Sequence, residues 1–432
     1  MQTLPGPIFD EPVFQEGKPT PDPESFRLPH PSDDEVYAKL GDLLETQTCR
    51  FDESRAQVDA LFAVEDLFGA AGPDIRSQIT KAGKIVFHAV GDTGASTEKS
   101  LPNELSVADA MCGDFALRTE NDRPLFFFHL GDVVYNFGEA KYYYDQFYEP
   151  FRNYPRPILA IPGNHDSFIV PSTPAADTPL EVFERNFCST EIAVAPEAGS
   201  LHRTATTLPG VYFTLDAPFV RIISLFSNAL EDPGVISSEK GTWTQVPDIQ
   251  LDFLRAQLNQ VRNEKYSGAV LLAMHHPPFV YETNAGSPGT HGCSLAMLKE
   301  IDEICAETGF YPHAILSGHS HNYQRFTRKI TFAGREIAVP FIVCGCGGHN
   351  VTPLTKSKKD KPAFGSDVSY LDNQPGVKSQ GLTLENYNVS DYGYLIVEVD
   401  TKTLTLSFQT TKSADAKDQV IVDLTSQLIS PS

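Results

Sequence analysis

The chain has 432 residues, 41% of them hydrophobic and 21% charged, a globular balance that allows one large domain with extensions or two domains. Its 34 Lys and Arg against 56 Asp and Glu leave a formal charge of −22, which argues against a nucleic-acid partner or an anionic membrane surface. No apolar run of 18 residues marks a membrane span, the N-terminus lacks a secretory leader's basic-then-apolar order, and seven cysteines form no even disulfide framework, so a cytoplasmic protein is expected.

Residues 1–34 are rich in proline and acid and read as an irregular arm. Helical spacing of apolar residues predicts helices over Asp34–Glu45 and Glu53–Phe68, so that 1–80 forms an N-terminal extension. The run Ile85–Val90 is the first buried strand, and it ends in Gly91-Asp92-Thr93-Gly94. A helix over Glu104–Arg118 leads to strand Leu125–Leu130, which ends in Gly131-Asp132. An aromatic helix over Glu139–Phe151 precedes strand Pro157–Ile161, which ends in Gly163-Asn164-His165-Asp166. Val211–Leu215 and Val220–Leu225 read as paired strands, and Gln250–Asn263 as an amphipathic helix. Strand Ala269–Met274 ends at His275, and helix Leu295–Thr308 leads to strand Ala314–Leu316, which ends in Gly318-His319-Ser320-His321. Beyond it the pattern is all β: a hairpin over Lys329–Phe332 and Arg335–Val339, a strand Phe341–Cys344, a long polar loop over Thr352–Asn388, and a hairpin over Tyr392–Val399 and Thr403–Phe408. Cys344 and Cys346, one residue apart, read as small buried side chains.

This order predicts an α/β core of two stacked mixed β-sheets flanked by helices. A catalytic domain is expected over 81–350, completed by the loop and hairpin of 351–432. Every polar cluster follows the C-terminal end of an apolar strand, the edge where ligand sites form in α/β sheets. Five clusters, GDTG, GDVVY, GNHD, MHHP and GHSH, therefore have reason to converge. Their Asp, Asn, His and Tyr donors suit iron, manganese or zinc without a thiolate.

These five motifs, in this order, resemble those of the calcineurin-like metallophosphoesterases, and within them the purple acid phosphatase branch, whose pattern runs GDxG, GDxxY, GNH[ED], VxxH and GHxH. All but part of the fourth element is met. The resemblance spans roughly 85–350 and implies that family's four-layer sandwich. It implies that Asp92, Asp132, Tyr135 and His321 hold one metal ion and Asp132, Asn164, His275 and His319 the other, with Asp132 shared. The pair would be iron with zinc or manganese, or two manganese ions. Many relatives carry a histidine where Gly94 stands, and Tyr135 is able to fill that vacancy as a phenolate favouring ferric iron; its alternative role is a packed aromatic. The implied activity is hydrolysis of phosphate esters, preferably monoesters of small molecules, by metal-activated hydroxide, with His165 assisting the leaving group.

Asp166 either orients His165 or caps its loop. His276 faces either the substrate or the far side of its strand. His291 matches the place of a phosphate-gripping histidine only loosely, and Arg325 either contacts phosphate or braces its loop, with bracing favoured. His88 and His129 read as satisfied core histidines. A phosphodiesterase with the same site is the first alternative, and a scaffold without catalysis the second.

Overall fold

The computed structural model describes residues 60–430 apart from 98, 136, 168–177, 200, 231–232, 282–290, 355–365 and 368–380. The arm over 1–34 and the helix expected over Asp34–Glu45 lie outside the described residues. The run Lys84–Val90 (β2) is buried from Ile85 onward and mostly apolar, with His88 the exception, because both of its faces are covered. It pairs in parallel with Phe127–His129 (β3), and β3 pairs in parallel with Ile158–Ala160 (β4). On its other side β2 pairs antiparallel with Gly393–Asp400 (β13), which continues into Thr403–Thr410 (β14) and Ser413–Asp423 (β15), giving a sheet ordered β15-β14-β13-β2-β3-β4. Helix α2 (Leu101–Leu117) joins β2 to β3.

At the centre of the second sheet Val220–Ser224 (β6), Ala269–Ala273 (β7), Ala314–Ser317 (β8) and Arg335–Cys344 (β10) run parallel. With β1 (Leu61–Ala63), β5 (Phe213–Ala217), β9 (Tyr323–Phe332), β11 (Ser366–Asp367) and β12 (Leu382–Asn388) at its flanks, this sheet has the order β1-β5-β6-β7-β8-β10-β9-β12-β11. Helices α3 (Ile249–Asn263) and α4 (Leu295–Thr308) lie between the central strands in sequence, and one hydrophobic core joins both sheets and the helices. The α/β architecture of two mixed sheets flanked by helices is thus as expected.

Four local expectations are corrected. Within Glu53–Phe68, Leu61–Ala63 is a strand (β1) rather than helix. It pairs with Phe213–Ala217 (β5), and the sheet-edge hydrogen bonds override a helical apolar spacing. The described end of the N-terminal extension, including α1 (Gly72–Ala82), is therefore built onto the core. The aromatic helix of Glu139–Phe151 is instead a 3₁₀ turn at Ala140–Tyr142 and a π turn at Tyr144–Tyr148. Gln146 in that wide turn clamps Tyr135, accepting from its backbone N at 2.9 Å and donating to its carbonyl at 2.6 Å. Part of the loop expected over Thr352–Asn388 is strand: Leu382–Asn388 (β12) pairs with Tyr323–Phe332 (β9), and Ser366–Asp367 (β11) pairs with β12. Finally, β15 follows the hairpin thought to be last. It reads as polar because it is the sheet's edge.

Candidate metal centre

Six parallel strands, three from each sheet, end at one edge. Asp92, Asp132 and Asn164 follow β2, β3 and β4; His275, His319 and His321 follow β7 and β8; and β10 supplies a turn through His349 and Asn350. Hydrogen bonds tie the two sheets together here. The Gly91 N–H donates to the Cys344 carbonyl at 3.0 Å, His275 Nδ1 to the Leu130 carbonyl at 2.8 Å, and the His319 N–H to Asp92 Oδ2 at 2.8 Å.

Asp92, Asp132 and His319 take left-handed backbone angles, with φ of 59°, 56° and 65°. For residues with a Cβ this costs about 1–2 kcal/mol each. Such strain persists only where the surroundings over-determine it, most often at functional sites. Gly131, at φ 97°, also makes room for a ligand: a Cβ there would lie 2.6 Å from His275 Nδ1.

The donor atoms form two groups that share Asp132. Asp132, His275 and His319 make one, and Asp92, Asp132 and His321 the other; within each, one donor atom per residue lies within 4.8 Å of the others. All five residues are buried. Asn164 Oδ1 lies 3.0 Å from His275 Nε2 and 3.1 Å from His319 Nδ1. Tyr135 Oη lies 3.0 Å from Asp92 Oδ1 and 3.1 Å from His321 Nε2, which places the phenol in the second group. Since His275 spends its Nδ1 proton on Leu130, its neutral form turns an Nε2 lone pair toward the oxygens of Asn164 and Asp132. Acceptors facing acceptors in a dry site call for a cation between them. The residues therefore fit two metal ions.

The electrostatics agree. Burial draws His275 down, but the Asp132 carboxylate beside it pushes it up to about 9. Burial and the charges of Asp132 and Asp92 raise the Tyr135 phenol well above its usual range. In the absence of a cation, protons take over its balancing role; a bound ion inverts that preference.

The family model for calcineurin-like phosphoesterases matches residues 86–323, more than half of the chain and all five motifs. The chain belongs to this family. A comparison with curated proteins by sequence returns no match. Among solved structures, purple acid phosphatase PPD1 from yellow lupin (Lupinus luteus) seeds is similar at 16% identity and TM-score 0.49, over 79% of this chain and 54% of that one, so the chain spans about half of the lupin protein's length. GAP50, the anchor in the inner membrane complex of Plasmodium, is similar at 11% identity and TM-score 0.47, over 80% of this chain and 91% of that one. PhoD is similar at 12% identity and TM-score 0.48, over 81% and 72%. Among the described residues no helix is long and apolar enough to cross a membrane.

Around the donors of this calcineurin-like phosphoesterase, the other predicted residues take distinct places. His165 is buried, its backbone N–H donating to Asp132 Oδ1 at 3.0 Å and its ring 4.2 Å from that of Tyr135. Asp166 accepts from the backbone N–H groups of Gly163, Val133 and Val134 at 2.9–3.1 Å, which ties the GNHD loop to the GDVVY loop. The His291 ring lies 4.4 Å from His321 and 4.8 Å from His319. His276 has both ring nitrogens engaged, by Ser227 Oγ and the Leu230 carbonyl at 2.7 Å each. Arg325 makes a two-pronged ion pair with Asp418 at 2.6 and 2.9 Å. His88 and His129 are core histidines: His129 bonds Thr93 Oγ1 at 2.9 Å, and burial lowers it to about 3. A Cβ at Gly94 would lie 2.6 Å from the Val133 carbonyl, 2.8 Å from Gln146 Oε1 and 3.1 Å from the Tyr135 ring, so these groups pack closely over the glycine.

Gln146 escaped the sequence reading, whereas the segment of His349 and Asn350 was visible only as the residues after the Gly-rich CGCGG turn. Gln146 holds the Tyr135 backbone, and Asn350 Oδ1 bonds His321 Nδ1, leaving Nε2 for the site. No local pattern marks Gln146.

Proposed function

We propose that this chain is a binuclear metal-dependent phosphoester hydrolase of the purple acid phosphatase type, acting on small phosphomonoesters. The observation that carries the reading is the sharing of Asp132 by two donor groups at one sheet edge. Asp92, Tyr135, His321 and Asp132 would hold one ion, and Asp132, Asn164, His275 and His319 the other. The hard phenolate of Tyr135 favours ferric iron at the first position, with zinc, manganese or a second iron at the other. When bound, such a pair supplies positive charge for the phosphoryl oxygens and lowers the pKa of a water molecule.

The chain's own residues do the rest. Leu130 and Asn350 fix the tautomers of His275 and His321 through their Nδ1 atoms. Asp166 grips three backbone N–H groups and so holds Asn164 and His165 in register with Asp132. His165, buried against Tyr135, would give a proton to the leaving oxygen. Bound at Asp92, Asp132, Asn164, His275, His319 and His321, such ions would offset the chain's negative charge where phosphate binds.

The test is hydrolysis of p-nitrophenyl phosphate and bis(p-nitrophenyl) phosphate by protein loaded with iron, zinc or manganese, alongside Asn164→Ala. Monoester turnover that collapses in Asn164→Ala is expected. Faster diester turnover would transfer the site to phosphodiesterase chemistry. Absence of hydrolysis with every metal would sink the reading in favour of a scaffold.

A further inference from the structure

The turn that follows β10 carries His349, whose imidazole lies flat on the Tyr135 ring, with centroids 3.6 Å apart and planes 15° from parallel. A second neighbour of that ring is His165, at 4.2 Å and 49°. His349 is held in turn at two points: Nδ1 donates to the Gly94 carbonyl at 2.9 Å, and its backbone N–H donates to the Asp92 carbonyl at 3.1 Å. It therefore bonds both ends of the GDTG loop while stacking on the tyrosine that occupies the room left by Gly94. Its ring is also 5.2 Å from that of His321. Three of the four donors at the first position are thus next to one residue, Tyr135 and His321 through its ring and Asp92 through its backbone N–H, while the shortest ring and hydrogen-bond contacts of His275 run to other residues.

We propose that His349 is the positioning residue of the first metal position, and that it sets the plane and the polarity around the Tyr135 phenol. This inference rests on the reading of Tyr135 as a ligand. The physical grounds are three. A face-to-face stack restricts the ring to the orientation in which Oη meets Asp92 and His321. The Nδ1–H bond to Gly94 fixes both the tautomer and the ring plane of His349, so the stack is rigid. A neutral imidazole on the face of an anionic phenolate replaces water there, and the field felt by a ligand controls metal affinity and spectrum.

Two substitutions separate the contributions. His349→Phe keeps an aromatic face but loses the bond to Gly94, whereas His349→Ala loses both. Titration with Zn²⁺ or Mn²⁺ by calorimetry, and the visible band of ferric-loaded protein, report on the site without reference to turnover; Tyr135→Phe is the reference variant. The expected result is that His349→Ala weakens one of two metal-binding steps by about 10-fold to 100-fold, the range found for residues that orient a ligand. It should also shift the ferric band, with His349→Phe in between and the second step unchanged. If Tyr135→Phe weakens binding and removes the band while His349→Ala changes neither, the role of His349 is overturned and the ligand reading stands. If Tyr135→Phe itself leaves both binding steps and the spectrum unchanged, the ligand reading falls and the inference falls with it. An equal loss at both steps in His349→Ala would also overturn the inference, since it would mark general disruption of the edge.

Discussion

Two buried histidines next to carboxylates behave differently in this molecule. His88, in the middle of β2, bonds Tyr154 Oη at 3.0 Å and Asp114 Oδ2 at 3.1 Å, and Asp114 is completed by Tyr394 at 2.7 Å and Arg118 at 3.3 Å. Burial outweighs the carboxylate, so His88 is lowered and stays neutral in a closed circuit of donors and acceptors. His275, past the end of β7, faces Asp132 and Asn164 at a point where His319 also arrives, and the Asp132 charge raises it to about 9. A buried histidine–carboxylate pair is thus no sign of a metal site by itself. The sign is carboxylate, amide and imidazole ligand atoms from several strand ends converging in two groups that share Asp132.

Breaking the site at its shared member gives the largest contrast. Asp132→Asn removes charge from both donor groups, so both metal-binding steps should weaken and kcat/KM should fall by at least about 10³-fold. Metal analysis and steady-state kinetics check this; retention of two ions per chain would contradict the sharing. The opposite disturbance is His88→Phe, which should leave metal content and KM at wild-type values. It should cost about 1–3 kcal/mol of stability by stripping Asp114 and Tyr154 of a partner, read by denaturant unfolding of the metal-loaded protein. A drop in metal content would show that the two regions are not independent.

The smallest effect is a pH dependence away from the metal edge. His313 accepts from the Val270 N–H at 3.0 Å and donates to the Leu424 carbonyl at 3.2 Å, and burial lowers it to about 4. The unfolded chain, with a histidine pKa near ~6.5, binds the extra proton first. Stability should therefore fall as pH drops from about 6.5 toward 4, and level off below, by up to about 3 kcal/mol. In His313→Asn, unfolding at pH 7 and pH 4.5 should differ less than in the unsubstituted chain. An unchanged difference would remove His313 as its source.

Much of the metal edge was legible in the order of residues because strands end abruptly. An apolar run that stops at Gly-Asp, Gly-Asn-His or Gly-His-Ser-His states both the strand and the polar cluster beyond it, and five such endings matched one known pattern. The helix over Leu295–Thr308 was readable to the residue, since a serine opens it and Gly309 at φ 70° closes it. Strand β1 was not, because its three residues pair with Phe213–Ala217, far along the chain; the π turn was not, because its side-chain spacing reads as an α-helix; and β15 was not, because the first half of this edge strand is polar. Arg325 shows the same division. Its place beside the last motif was visible, but its partner, Asp418, lies 93 residues away on an edge strand.

By itself, then, the sequence determined which donors exist, their order, and the strand ends on which they sit, because these depend on local hydrophobic runs and on glycine. Only the tertiary structure decided that Gln146, Asn350 and His349 pack against Tyr135 and His321, and that His276 turns to Ser227 and Leu230. Those facts depend on how two sheets bring separate strand ends within a few ångströms, and no local pattern carries that distance.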